Sequence, residues 1–333
     1  MASRAPVIIV GAGVVGLCFA QLLKRQGVPF EIFERDTHIE RAKGWGITIH
    51  WALPALKECL PPALFHRLLT IQVDPQQGIK DTGRFLFLDL ATAEPRYIIP
   101  PSERLRINRL KFRMLLAEGL DVQWGKRING FKTEEDGVEV SFTDGTSTRG
   151  SMLVGAEGSN STTRRLLVGE ELGKLNQLPV RFLGVTMELT PAQVQPLRDI
   201  DPLLFQGSHP DTGTFLWFSI LSTPEVNGST GAEEYYEGQL NMSWIVKSSD
   251  DEVPESNAAK VAKMKEMAKP LEARLRKAVE EIPDDSTVLE IKLQDWPTLE
   301  WPTNGGKVTL IGDAAHAMTM CKYSRNINVS GKC

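Results

Sequence analysis

The chain has 333 residues, 41% of them hydrophobic, with 38 Lys and Arg against 42 Asp and Glu for a formal charge of −4. That apolar content excludes disorder of the whole chain, and at roughly 150 residues per domain the length fits about two domains with a sizeable core. A mildly acidic total without a long basic run argues against nucleic acid as a bulk partner and leaves small anions open to local sites.

In chain order, Pro6–Val10 is a short β-branched run that ends in Gly11 and predicts a strand. Gly13 to Gly27 carries Val14, Leu17, Ala20 or Gln21, and Leu23 or Lys24 through the faces of a helix, with Gly27 as its stop. A second run, Pro29–Phe33, ends at Glu34. Strand, glycine turn, helix and strand within about 30 residues form the βαβ unit of a parallel sheet. Glycines 44 and 46 then punctuate the chain before a short helix near Pro54–Leu60 and a strand over Arg84–Leu90. Glu103–Glu118 predicts a helix because Ile107, Leu110, Met114 and Ala117 recur at spacings of 3, 4 and 3. Asp121–Trp124 returns as a strand. Val138, Val140 and Phe142 alternate with polar residues into the turn signal Asp144-Gly145. Met152–Gly155 is a buried-strand candidate, followed by a loop over Ala156–Ser161 and a helix into Leu167.

Composition shifts after Gly173. Arg181–Leu189, Leu203–Gln206, Thr214–Leu221 and Leu240–Val246 predict antiparallel strands, with a turn at Asn227–Gly231. Val261, Met264, Ala268, Leu271, Leu275 and Val279 mark an amphipathic helical region that Pro270 kinks or divides. Val288–Leu293 and Lys307–Ile311 predict strands, the latter leading straight into Gly312-Asp313. The expected organisation is an α/β nucleotide-binding domain, residues 1–175 plus 294–333, interrupted by a mixed β/α substrate domain over 176–293.

The four cysteines, Cys18, Cys59, Cys321 and Cys333, contain no Cys-x-x-Cys pair and are too few for a disulfide scaffold, so the plain reading is reduced thiols in a cytoplasmic protein. Gly11, Gly13 and Gly16 interrupt the N-terminus where a signal peptide would stay apolar, and no stretch reaches 18 apolar residues. None of the five histidines belongs to a metal-type cluster.

Gly11-Ala12-Gly13-x-x-Gly16 carries the strongest chemistry. Gly11 permits the tight strand-to-helix turn, Gly13 lets a diphosphate approach the backbone, and Gly16 lets the helix pack on the sheet. Free amides and the helix dipole then receive negative charge. Glu34 follows Gly11 by 23 positions and closes the next strand, where a carboxylate binds ribose hydroxyls and repels a 2′-phosphate. The bland alternative is an ordinary βα turn with a solvated Glu34. FAD and NAD share the adenosine ribose, so this motif alone does not separate them.

Two later segments do so by resemblance. Val154-Gly155-Ala156-Glu157-Gly158-Ser159-Asn160-Ser161 and Leu310-Ile311-Gly312-Asp313-Ala314-Ala315-His316 resemble the second and third signatures of FAD-dependent aromatic-ring monooxygenases of the para-hydroxybenzoate hydroxylase type. Gly11–Gly16 with Glu34-Arg35 stands as the first signature. The closest subset resembles fungal enzymes of secondary metabolism that act on salicylate-like, polyketide or indole-terpenoid compounds. The resemblance runs from about residue 5 to residue 320 and implies a Rossmann-like FAD-binding domain, with NADPH or NADH as co-substrate and dioxygen as oxidant. It further implies hydroxylation or epoxidation of a small aromatic or polyketide-like substrate, with neither a metal nor a membrane span.

By the same resemblance, cofactor contacts are expected from Gly11, Ala12, Gly13, Gly16, Glu34, Arg35, Arg109, Glu157, Gly158, Gly312 and Asp313. No side chain is assigned as catalytic. Arg109 stands where the family keeps an arginine beside the flavin, although Arg106, Arg109 and Arg113 also fit a solvated basic face. Asp313 combines a helix-cap role with a ribityl contact, and His316 is structural or borders the flavin. Glu157 departs from the family's Asp-Gly, moving the carboxylate outward by about one methylene. Arg164 and Arg165 fit either a solvated pair or partners of carboxylates. Tyr97, His209, Trp217 and Phe218 are candidates for the substrate pocket or for the core. After Met320 the family's proline and Gly-x-Gly-x-Asn turn do not follow, and the expectation there is an altered or truncated C-terminus. The rival readings are an NAD-linked dehydrogenase and an inactive flavoprotein-like binding protein.

Overall fold

The computed structural model describes residues 5–40 and 45–319, so the expectation for the segment after Met320 lies outside the described residues. β1 (Val7–Val10), α1 (Val14–Arg25) and β2 (Phe30–Glu34) form as the glycine turn predicts. β3 (Gly46–Ile49) follows, and then three short helices, α2 (Leu53–Cys59), α3 (Pro62–Arg67) and α4 (Pro75–Lys80). Each starts with a proline in its first turn, where the missing N–H has no helical partner to lose. β4 (Phe85–Asp89) and β5 (Glu94–Ile99) make a hairpin.

The helix expected over Glu103–Glu118 divides into β6 (Leu105–Asn108) and α5 (Arg109–Ala117). The Asn108 side-chain oxygen accepts from the N–H groups of Leu110 and Lys111 at 3.0 and 3.1 Å, which ends the strand and caps the helix in one residue. The periodic stripe misidentified the inner face: α5 buries Phe112, Arg113, Leu115 and Leu116, and Met114 is exposed.

β7 (Val122–Trp124) leads into β8 (Ile128–Thr133), β9 (Val138–Phe142) and β10 (Ser147–Gly150), then β11 (Met152–Gly155) and α6 (Thr162–Val168). The second region holds β12 (Asn176–Gln177), β13 (Val180–Leu189), α7 (Pro191–Arg198), β14 (Leu204–Ser208) and β15 (Phe215–Ser222). α8 (Pro224–Asn227) and β16 (Tyr236–Ile245) follow. The amphipathic stretch divides at Pro270 into α9 (Asn257–Ala268) and α10 (Ala273–Glu280). The strand expected over Val288–Leu293 shrinks to β17 (Leu289–Glu290), and β18 (Gln294–Asp295), β19 (Val308–Leu310) and α11 (Asp313–His316) complete the described chain.

A five-stranded parallel sheet runs in the order β19-β11-β1-β2-β7. Alternation along each strand sorts its side chains: Ile9 and Ile32 face Leu17, Ala20, Phe112 and Leu116 of α1 and α5, whereas Ile8, Val10, Phe33 and Leu153 face the β8–β10 sheet. Each such side chain contributes about 1.5–3 kcal/mol on burial. β1 sits between β2 and β11, so crossovers leave it in opposite directions and a crevice opens at the carboxyl ends of β1 and β11.

The seven-stranded sheet runs β17-β13-β16-β15-β14-β4-β5, antiparallel except between β14 and β4. One face packs Leu183, Phe218, Leu240 and Met242 against α7, α9 and α10. Residues 85–99 thus belong to this second sheet, although they precede the boundary expected at 175. The other face meets the two-stranded β3–β6 ribbon, which touches β15. The whole is a Rossmann-like parallel α/β domain plus a mixed β/α domain.

Candidate cofactor site

The turn after β1 is held from three sides. Gly11 has φ +110°, and a Cβ on it would collide with the Ala156 carbonyl at the end of β11. A Cβ on Gly16 would overlap the Gly11 carbonyl oxygen. Gly13 differs: no atom lies within 4 Å of the place its Cβ would occupy. Gly13 is also the N-cap of α1 and supplies no capping side chain, so the first amides of this 12-residue helix open onto free space. That is the cradle a diphosphate fills.

Glu34 is 4% exposed, and its Oε2 accepts the Ala12 N–H at 2.8 Å while Oε1 accepts from the Asp36 N–H at 3.2 Å. Arg113 lies behind it. Its Nε donates to the Ala12 carbonyl at 2.8 Å, its Nη1 donates to the Ile39 carbonyl at 2.8 Å, and its Nη2 stands 3.6 Å from Glu34 Oε2. The Trp124 ring packs on the guanidinium, 5.6 Å from its carbon to the ring centroid.

At the end of β11, Gly158 takes φ +81°. Glu157 Oε1 accepts from the Thr163 N–H at 2.8 Å and from its hydroxyl at 2.7 Å, while Oε2 accepts from the Ser161 hydroxyl at 2.8 Å. The extra methylene of glutamate therefore lets the carboxylate reach the first turn of α6, where an anion is favoured. Arg164 is completely buried and donates to the carbonyls of Gly173, Ser159, Asp313 and Ala314. Its guanidinium carbon lies 4.9 Å from the Trp296 ring centroid. One arginine thus ties the loop after β11 to α11.

A cleft of about 500 Å³ joins these pieces. Of the expected residues, Gly11, Gly13, Glu34, Arg35, Arg109, Glu157, Gly158 and Asp313 line it. Ala12, Gly16 and Gly312 do not: the Ala12 N–H and C=O are spent on Glu34 and Arg113, Gly16 packs under the turn, and Gly312 abuts Val15. Asp313 is the first residue of α11 rather than its cap, which is Gly312 at φ +60°.

The remaining expectations divide. Arg106 and Arg113 are buried and Arg109 is exposed, so the three do not share a solvated face, and Arg164 is buried as well. Tyr97 is 62% exposed and belongs to neither pocket nor core. His209 accepts from the Asp211 and Thr212 N–H groups and holds a turn. Phe218 lies in the core beside Phe205, whereas Trp217 is half-buried on the opposite face of the sheet. His316 is exposed at the end of α11. Sequence reasoning missed Lys126 and Arg127, which line the cleft because β7 pairs with β2 and the Lys126 N–H donates to the Glu34 carbonyl. It also missed Arg113 as a support, for which the one signal was its place a helical turn after Arg109.

Among the described residues no group of three or more His, Cys, Asp or Glu is placed to hold a metal ion, and no helix is long and apolar enough to cross a membrane.

Residues 9–47 match the NAD(P)-binding Rossmann-like domain and residues 105–322 match the FAD binding domain. The chain is 55% identical over 320 residues to the FAD-dependent monooxygenase dbaB of Emericella nidulans, spanning 94% of this chain and 81% of that protein. It is 33% identical over 314 residues to the FAD-dependent monooxygenase cctM of Talaromyces islandicus, spanning 94% and 77%. The fold is similar to that of 2,6-dihydroxypyridine-3-hydroxylase from Arthrobacter nicotinovorans, with a TM-score of 0.67 at 20% identity over 94% of this chain and 78% of that one. The chain belongs to the FAD-dependent monooxygenase family and is an oxidoreductase whose cofactors are FAD and NAD(P)H.

Proposed function

We propose that the cleft holds FAD with its adenosine half at Gly11 and Glu34, and that the enzyme hydroxylates or epoxidises a small aromatic or polyketide-type compound. The observation that carries the placement is the open position at Gly13, set at the uncapped start of α1 on the same cleft as the Glu34 carboxylate. The Glu34 carboxylate, which accepts the Ala12 and Asp36 N–H groups, lines the cleft where ribose hydroxyls would meet it. Arg35, Lys126 and Arg127 surround that end with positive charge, and the α1 amides receive the diphosphate. Arg109, Gly158 and Asp313 take the remaining contacts along the cleft toward the second sheet.

Bound FAD would supply the redox chemistry that couples NAD(P)H oxidation to the reduction of dioxygen. In the balanced reaction one oxygen atom enters the substrate, the other leaves as water, and NAD(P)H with one proton becomes NAD(P)+. The protein orients the substrate and excludes water at the junction between the β3–β6 ribbon and the seven-stranded sheet. The cofactor part comprises residues 5–175 without the Phe85–Ile99 hairpin, together with 294–319; the substrate part is 176–293 with that hairpin added.

Purified protein is expected to take up FAD, turn yellow and oxidise NAD(P)H faster when an electron-rich phenol is present. A protein that stays colourless after soaking with FAD, or whose NAD(P)H oxidation responds to no phenol, contradicts the reading.

A further inference from the structure

Arg106 stands opposite Thr48 in the β3–β6 ribbon and is 3% exposed. Its Nη1 donates to the Thr48 hydroxyl at 3.0 Å and its Nη2 donates to the Ser219 hydroxyl at 2.7 Å. Nε is buried without a hydrogen-bond partner, and among the described residues no carboxylate pairs with the guanidinium. The nearby Asp81 carboxylate is already paired with Arg104 at 2.6 Å. Burial, and then the charge of Arg104, weakens the hold of Arg106 on its proton. A buried cation without a counterion costs several kcal/mol, and an ionisable group perturbed in this way is a candidate for a functional site.

The surroundings have the composition of a ligand wall. In register across β13, β16 and β15, Gly184, Asn241 and Trp217 share one face, and Thr186, Gln239 and Ser219 share it one pair further on. Trp45 and the Asn241 side-chain oxygen occupy the space that a side chain on Gly184 would take. The Arg106 guanidinium carbon stands 5.9 Å from the Trp217 ring centroid. Ile47, next to Thr48, and Arg109, three residues after Arg106, both line the cofactor cleft. The unpaired cation therefore lies beside a flat aromatic ring and hydrogen-bonding amides, on the face of the β3–β6 ribbon opposite Ile47, which lines the cofactor cleft.

We propose that Arg106 is a specificity residue that recognises an ionised oxygen, phenolate or carboxylate, on a planar aromatic substrate. This rests on the monooxygenase reading above and deepens it by naming the charge state of the substrate. The substrate's anionic oxygen supplies the counterion, and Trp217 offers the ring a flat partner. Neutral rings of the same size gain only the second of these.

The test uses the FAD-loaded enzyme and reads binding from the perturbation of flavin absorbance, with 2,4-dihydroxybenzoate as the carboxylate probe, 4-nitrophenolate at pH 8.5 as the phenolate probe and resorcinol as the neutral one. At least one anion is expected to bind about tenfold more tightly than resorcinol, and which one does so identifies the oxygen recognised. Arg106→Met is expected to abolish that preference while leaving resorcinol within about twofold, with Arg106→Lys intermediate. Arg106→Met is also expected to melt no lower than the parent, since an unpaired buried charge has been replaced by an apolar chain. Equal affinities for all three probes, an equal loss for all three in Arg106→Met, failure of both anions to bind, or a lower melting point with the preference intact overturns the proposal. Should Arg106→Met not fold, Arg106→Lys decides, and an unchanged preference in that variant overturns it. Retained flavin colour and NAD(P)H oxidation keep the cofactor reading standing whichever way the probes fall.

Discussion

Arg113 Nη2 lies 3.6 Å from Glu34 Oε2, and the same guanidinium donates through Nε to the carbonyl of Ala12, whose N–H Glu34 accepts. One helical arginine therefore holds both the acid that closes β2 and the peptide at the centre of the glycine turn. Both side chains are almost fully buried, so removing one partner strands the other. Arg113→Met is expected to cost about 3–5 kcal/mol of stability and to weaken FAD binding. Arg113→Lys is expected to rescue little, because an ammonium cannot reach Ala12, Ile39 and Glu34 together. Denaturant unfolding with and without FAD checks both.

The three glycines of the turn are expected to fail differently. Gly16→Ala drives a methyl into the Gly11 carbonyl and Gly11→Ala adds one against Ala156 at positive φ, so both are expected to destabilise the apo protein. Gly13→Ala meets no protein atom and is expected to melt like the parent, yet to lose FAD affinity because its methyl enters the space assigned to the diphosphate. Thermal unfolding of apo protein beside an FAD titration separates the two effects.

Glu157 makes three hydrogen bonds to the start of α6. Glu157→Asp shortens the arm and is expected to cost about 1 kcal/mol, the usual loss for a helix cap, and to lower the melting temperature. Glu157→Gln keeps an acceptor in reach and is expected to cost less. A larger loss in the glutamine variant would contradict the reach argument.

Burial pushes the Cys18 thiol up to about 12, with Cys59 adding to the shift. At pH 8 only about one molecule in 10⁴ then carries the thiolate. Folded protein treated with iodoacetamide at that pH is expected to leave Cys18 unmodified, under conditions that label the unfolded chain, as read by peptide mass mapping. The unfolded thiol ionises near pH 8.5, so this group favours the folded state fully below that pH and loses its contribution as pH rises toward 12.

The glycine turn and Glu34 were legible because their partners are fixed by a short βαβ unit. The division of residues 103–118 was not. β6 exists through pairing with β3, as in the Arg106–Thr48 contact across 58 positions, and periodicity within one segment carries no trace of that. The buried arginines hid for a related reason. Arg113 reaches a carbonyl 101 positions away and Arg164 one 150 positions away, so they are held by main-chain carbonyls that no local pattern announces. Their sequence surroundings look like those of solvated residues.

FAD and FMN share the isoalloxazine, and only FAD carries the adenosine half assigned to Gly11, Gly13 and Glu34. Titration of the apo protein with each, followed by flavin fluorescence, tests that assignment most directly. FAD is expected to saturate at one per chain and to bind at least about 100-fold more tightly than FMN, the equivalent of about 2.7 kcal/mol. Equal affinity for FAD and FMN would contradict that assignment.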